Sequence, residues 1–322
     1  MKSSMTETVF HDSKYILHRV KFGIYTILAV ASIVLSLLMF IFFLTHQHIV
    51  RIRQNQALLL LLVVNFIQIT LNLPMVIHYN RLGYISPATV AYCTWWEFIE
   101  YTLNASGEIL MSIISIQRHL LIFHGELFHK RFYRYLLHNI PLCLFGIIYP
   151  IVFYFCVLVF YTCDGTQLNF TLNGCGIAAC YLVYSKVLAT YDWAVNNGMP
   201  IILITFANVI LLVRVVRQKL RRQRVMPWKK QRRMTIQLLS ISSLYFFGWF
   251  PSMVVAVVQQ LWYPTFLADA QLDYIYDLVY FICLLLPWVC LGLFPEFTNW
   301  IRMCVFRLNA AQNIIRPATR AN

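Results

Sequence analysis

Seven predominantly apolar stretches recur along this chain, each near or above the roughly 20 residues a helix needs to cross a bilayer. They run over about 22–45, 57–78, 93–118, 136–161, 192–214, 235–261 and 274–294. Such runs leave few options, because every backbone polar group in hydrocarbon must be hydrogen-bonded within the protein. The expected fold is an all-α membrane protein, a bundle of seven transmembrane helices. Composition agrees. Of 322 residues, 60% are hydrophobic and 12% charged, against about 25% charged in soluble domains. A net charge of +14 would point to nucleic acid in a soluble protein. Here the placement of charge matters more than the total, and no nucleic-acid partner is expected.

With the N-terminus outside, Arg51 and Arg53 fall in the first inner loop and Arg118, Lys130, Arg131 and Arg134 in the second. Ten basic residues lie between Arg214 and Arg233, and four follow Pro295. Basic residues thus gather on the inner side, as the positive-inside rule requires. Lys14, Arg19 and Lys21 run against it, flanking the first segment on the outer side. The chain divides into an outer tail (1–21), the bundle (22–294) and an inner amphipathic helix with a short tail (295–322). Residues 1–21 have no cleavable signal pattern, so the first segment is expected to be its own anchor. Phe297, Trp300, Ile301 and Cys304 fall at i, i+3, i+4 and i+7, the pattern of a short helix on a membrane surface. Cys304 is a palmitoylation candidate. In the long outer loop, Asn169-Phe170-Thr171 is an N-glycosylation acceptor; Asn104-Ala105-Ser106 matches too but lies inside the membrane. Cys93, Cys163, Cys175 and Cys180 fall outside the membrane, where disulfides persist. Four cysteines allow three pairings.

The third segment is the odd one. From Cys93 to Arg118 it would rise roughly 38 Å as a helix, more than the hydrocarbon core. Within it Glu97, Glu100, Asn104 and Glu108 follow one another at spacings of three, four and four. Those positions fall within an arc of roughly 90°. Each charged group near mid-bilayer costs on the order of 2.5–3.5 kcal/mol, so the stripe must face other helices or a watery cavity. Asn65 and Asn72 interrupt the second segment ahead of Pro74, which kinks it. Pro251 stands among Tyr245, Phe246, Phe247, Trp249 and Phe250 in the sixth, another kink packed by large rings. The seventh holds Asp273, Tyr276, Asp277, Tyr280 and Pro287. Ser32 and Ser36, one turn apart, read as a close helix contact. The basic stretch ending at Arg232 and Arg233 suits anionic lipid at about 1 kcal/mol per charge, or a docking protein. His124 and His129 read as a solvated loop, and neither a metal nor a cofactor is called for. An intramembrane enzyme would need convergent catalytic pairs, and no such motif is present. A transporter or channel using the acidic stripe is the alternative, but it would usually carry internal repeats or paired broken helices, and neither is seen.

Taken in register, these signals resemble the rhodopsin-like (class A) G-protein-coupled receptors, over residues 20–306. In that family the third helix opens on a cysteine and reaches Asp/Glu-Arg-Tyr twenty-five residues on, the spacing of Cys93 and Arg118. Gly248-Trp249-Phe250-Pro251 matches the sixth-helix Cys-Trp-x-Pro. Asn65 with Pro74 matches the second-helix pair, and Phe297 matches the aromatic residue that opens the membrane-surface helix. There are departures. Gln117 and His119 replace the acid and tyrosine around Arg118, and Asn65 replaces an aspartate. Gly107 stands at the sodium-site serine and Asn208 at the fifth-helix tyrosine. Leu286-Pro287-Trp288-Val289-Cys290 replaces Asn-Pro-x-x-Tyr, and no acid at the inner start of the sixth helix can pair Arg118. The chain therefore looks like a divergent member, similar to the orphan and chemosensory-type receptors of invertebrates.

The resemblance implies a plasma-membrane receptor that turns binding of an outer ligand into activation of a heterotrimeric G protein by outward movement of the sixth helix. The implied ligand contacts are Glu97, Glu100, Asn104, Trp249, Ser252, Met253, Tyr276 and Tyr280. Glu100 aligns with the carboxylate that pairs amines, and Tyr280 with the tyrosine that supports it, which suits a small cationic molecule or a peptide. Implied switch residues are Asn65, Glu108, Tyr245, Trp249, Pro251 and Pro287. Glu108, about 12 Å deeper than Glu100, reads either as a structural donor or as a proton-linked element. Arg118, His119, Arg232 and Arg233 would meet the G protein. A disulfide from Cys93 to the second outer loop is implied, with Cys180 as its partner and Cys163–Cys175 closing a small loop.

Overall fold

The computed structural model describes residues 2–50, 52–123, 135–161, 167–176, 179–220, 228–263, 265–294 and 296–304. No strand occurs among them. Six helices are long and apolar enough to cross a membrane. Their labels are α1 (Lys2–Thr45), α2 (Asn55–Leu82), α4 (Leu136–Phe160), α5 (Lys186–Val213), α6 (Trp228–Leu261) and α7 (Ala268–Gly292). Between α2 and α4 runs α3 (Val90–Phe123), 34 residues long. It carries the stripe Glu97, Glu100, Asn104 and Glu108, which sets it apart from the six apolar helices. The first helix begins at Lys2, so the stretch read as a tail continues α1. Residues 296–304 are helical after α7, and Phe297 there is buried against Phe42 and stacked on Trp300.

The arrangement follows from the stripe. The six apolar helices expose Leu, Ile, Val and Phe on their outer faces, such as Ile27, Ile202 and Phe247. Lipid tails solvate such side chains as well as a core would. α3 lacks that freedom, and it sits inside, in contact with α2, α4, α5 and α6. α1 packs on α2 and α7, α5 on α6, and α6 on α7, which closes the ring.

Prolines and small polar residues stitch the ring together. Pro287 lies inside α7; lacking an N–H, it leaves the carbonyl one turn back, that of Cys283, without its helical donor. Asn65 Nδ2 on α2 donates to that oxygen at 3.0 Å. On α1, Ser32 accepts from Trp288 Nε1 at 3.1 Å and donates to the Leu284 carbonyl at 2.6 Å. The close serine contact expected of Ser32 is thus a three-member bridge to α7. Wide, π-type turns run over Gln68–Asn72 before Pro74, over Pro141–Ile148 before Pro150 and over Asp192–Gly198 before Pro200. In each case a proline just ahead has withdrawn a donor.

At one end of the bundle, Lys21 pairs with Asp277 at 2.7 Å and Lys14 with Asp273 at 3.4 Å. Lys21 also donates to the Asp273 carbonyl, and Tyr25 donates to Asp277. Two of the three basic residues that ran against the charge bias, Lys14 and Lys21, are therefore partners of acids on α7, and Arg19 donates to the Tyr15 hydroxyl.

α6 and α7 approach closely at Gly248. A β-carbon there would collide with the Ile282 side chain and stand 3.2 Å from the Leu278 carbonyl oxygen. Gly248→Ala is expected to cost about 1–3 kcal/mol of bundle stability through overpacking. A lowered thermal midpoint in detergent checks this, and an unchanged midpoint would contradict the packing argument.

Candidate functional site

The polar arc of α3 faces a narrow internal cavity. Glu97, Glu100, Tyr101 and Asn104 line it from α3, Asp192, Trp193 and Asn197 from α5, Trp249 from α6 and Tyr276 from α7. Tyr154 of α4 and Gly174 and Leu182 of the loop before α5 complete the wall. Its free volume is about 40 Å³, room for small groups rather than for a drug-sized molecule. None of the lining residues is basic.

Two of the carboxylates are held by tyrosine hydroxyls. Tyr280 of α7 donates to Glu100 Oε1 at 2.8 Å. Tyr154 and Tyr181 donate to the two oxygens of Asp192 at 2.7 and 2.8 Å. Asn196 Nδ2 adds a third donor to Asp192 Oδ1 at 2.6 Å, while Asn197 Nδ2 holds the Asp192 backbone carbonyl at 3.1 Å. Tyr149 donates to Asn196 Oδ1 at 2.7 Å. This cluster ties α4, α5 and the loop together, and the wide turn Asp192–Gly198 is what brings both asparagines back onto Asp192. Such turns often mark functional positions. The reading of the sequence passed over it. The signal was present: an Asp with Asn four and five residues on, at the head of a membrane helix. Asn104 accepts from Gln68 Nε2 of α2. Glu97 is 5% exposed, and its Oε1 has no hydrogen-bond partner.

The remaining expected positions divide. Trp249 and Tyr276 reach the cavity, and Tyr280 touches it through Glu100. Ser252 is buried but is not among the lining residues. Met253 is elsewhere: one residue on, about 100° round α6, it packs against Gly198 in an apolar groove between α5 and α6. Glu108 is 0% exposed, and neither carboxyl oxygen has a hydrogen-bond partner. Tyr245 is buried beside it: a β-carbon on Gly107 would stand 3.1 Å from the Tyr245 hydroxyl. Pro251 and Pro287 both lie within their helices.

At the far end Arg118 is 4% exposed. Gln117, in place of an acid, turns to α4. Its Nε2 donates to the carbonyls of Leu137 and His138 at 3.0 and 3.2 Å, and its Oε1 meets His138 Nδ1 at 2.9 Å. His119 is half-buried. Arg232 and Arg233 lie on α6, with side chains outside the described residues. Asn169 is exposed, with its Oδ1 accepting from the Thr171 N–H and hydroxyl at 3.0 and 2.7 Å. Cys304 is a free, half-buried thiol.

The expected disulfide pairing is corrected. Cys93 is bonded to Cys175, with Cα atoms 5.9 Å apart, so neither Cys93–Cys180 nor Cys163–Cys175 forms. The loop is tied down over α2 and α3: Phe170 O accepts from Ile85 N at 2.8 Å, Thr171 O from the Tyr79 hydroxyl at 3.1 Å, and Cys175 O from Asn169 N at 3.0 Å. That places Cys175 above the start of α3. Cys180 instead opens the short helix Cys180–Tyr184 leading into α5. It is itself disulfide-bonded, and Cys163 lies outside the described residues. A non-reducing digest is expected to yield a peptide joining Cys93 to Cys175, and a Cys93–Cys180 peptide would overturn the assignment. Cys175→Ser should cost about 2–5 kcal/mol of stability, read as lost surface expression.

A family model described as 7 transmembrane receptor (rhodopsin family) matches residues 36–290. No curated protein matches the chain.

Proposed function

Because the chain belongs to the rhodopsin family of seven-transmembrane receptors, we propose that it converts binding of an extracellular cationic ligand, a small molecule or a peptide, into activation of a heterotrimeric G protein. On this reading α3 is the seventh spanning helix, and the end bearing the Cys93–Cys175 bond faces outside. The carrying observation is Glu100, a carboxylate on the cavity wall, oriented by the Tyr280 hydroxyl and with no basic side chain among the lining residues. A carboxylate oriented in that way suits an ammonium or guanidinium group.

Glu97, Asn104, Trp249 and Tyr276 share the wall and complete the ligand site. Trp249 lies two residues before Pro251, where α6 lacks a backbone hydrogen bond and bends most readily. Ligand that favours one arrangement of α6 over another shifts the population between them. Outward movement of α6 at the Arg118 end then opens a cleft for the G protein, with Arg118 and His119 on one wall and Arg232 and Arg233 on the other. Asn65, Glu108, Tyr245 and Pro287 lie between the two ends and carry the change. The helix of residues 296–304 rests on the inner membrane surface, with Cys304 the place for an acyl chain, and Asn169 carries a sugar on the outer loop.

Nucleotide exchange on co-expressed G proteins, screened with amines and short peptides, tests the proposal. An ionic current in place of exchange would favour a channel or transporter. For a cationic agonist so found, Glu100→Gln is expected to raise the effective concentration by about 30-fold or more, roughly 2 kcal/mol. An unchanged dose response would remove Glu100 from the site.

A further inference from the structure

The cavity wall brings together three carboxyl groups, from Glu97, Glu100 and Asp192, with no basic side chain among its lining residues. We propose that the ligand carries two cationic groups, one received by Glu97 and Glu100 on α3 and the other by Asp192 on α5. The inference rests on the receptor reading above and narrows its ligand to the class of slender dications, such as diamines.

The α3 subsite is unfinished as it stands. Glu97 and Glu100 are one turn apart on the same face, with β-carbons about 5–6 Å apart. Two carboxylates at that spacing repel unless a cation lies between them or one holds a proton, and a cation answers both at once. Glu100 Oε1 is engaged by Tyr280, whereas Glu97 Oε1 has no partner although the residue is 95% buried. A buried acceptor without a donor is costly, on the order of 1–3 kcal/mol. It faces the cavity, so a donor from a ligand relieves it. An ammonium group supplies three N–H donors, enough to serve both carboxylates.

Asp192 forms the second subsite on the opposite wall. A carboxylate offers about four acceptor positions. Tyr154 and Asn196 use two on Oδ1, and Tyr181 uses one on Oδ2. One remains on Oδ2. The three donors fix the carboxylate in place but bring no formal charge, so its negative charge is oriented without being cancelled. No lysine, arginine or histidine is among the residues that line the cavity to supply the balance.

Between the two subsites the wall is aromatic, with Tyr101, Trp193, Trp249 and Tyr276. Ring faces attract cations and accept a hydrocarbon spacer. With a free volume of about 40 Å³, the cavity favours an unbranched chain over a bulky skeleton.

The test uses membranes bearing the full chain, with surface labelling to verify each variant. G-protein nucleotide exchange is measured with α,ω-diaminoalkanes of three to eight carbons and with n-alkylamines of equal length. A diamine of one preferred length should act at a concentration about tenfold or more below its matched monoamine. Asp192→Asn should erase that gap, the diamine losing about tenfold or more relative to its matched monoamine. Asp192→Glu keeps the charge but advances it by one methylene, so the preferred diamine should become shorter. Equal potency of diamines and monoamines, or an Asp192→Asn loss equal for both, overturns the two-cation proposal and leaves the cationic receptor standing. If Asp192→Asn does not reach the surface, an unchanged length preference in Asp192→Glu overturns it instead. If no amine of either kind drives exchange, the cationic reading fails and the proposal falls with it.

Discussion

A carboxyl group in hydrocarbon costs a few kcal/mol, and α3 carries three of them. That cost places α3 inside the ring, touching α2, α4, α5 and α6, and leaves the apolar helices to meet lipid. It also dictates the partners of the acids. Among the described residues, the donors that reach the cavity's carboxyl groups are tyrosine hydroxyls and an amide: Tyr280 to Glu100, and Tyr154, Tyr181 and Asn196 to Asp192. A lysine in their place would have cancelled the charge. A hydroxyl orients the carboxyl group without bringing a formal charge to it.

The same accounting explains the irregular backbone. Prolines in α2, α4, α5, α6 and α7 each remove a helical donor, and a carbonyl so freed needs another partner or a looser turn. Where a side chain is in reach the bond is remade across helices, as Asn65 does for the Cys283 carbonyl. Elsewhere the helix widens, as over Asp192–Gly198. The widened turn draws Asn196 and Asn197 onto Asp192, so a backbone irregularity builds one wall of the cavity.

These two rules also separate what was legible in the sequence from what was not. The apolar runs and the spacing of Glu97, Glu100 and Asn104 are local patterns, and a regular helix preserves them, so α3 and its cavity-lining face could be read directly. Loop pairing has no such period. The partner of Cys93 depends on how Phe170 and Thr171 anchor to Ile85 and Tyr79, contacts between residues far apart in the chain. Met253 lies off the cavity for a finer reason: one residue on a helix turns the side chain by about 100°, enough to move it from the cavity to the groove beside Gly198. Asp192 escapes notice in the sequence because its two hydroxyl donors, Tyr154 of α4 and Tyr181 of the loop before α5, lie far from one another and from it in any local pattern.

The inner half of α3 is held by different means. An acid before Arg118 would pair with it and lock it by charge. Gln117 instead spends its amide on Leu137 and His138, so the residue preceding Arg118 ties α3 to α4. At the centre of the bundle Glu108 lies buried with both oxygens unpartnered, beside the Tyr245 that Gly107 makes room for. A group so poorly satisfied gains from any rearrangement that brings it a donor. In the proposed receptor the resting bundle is therefore least content one to two turns below the ligand cavity, on the helix that lines both the cavity and the cleft.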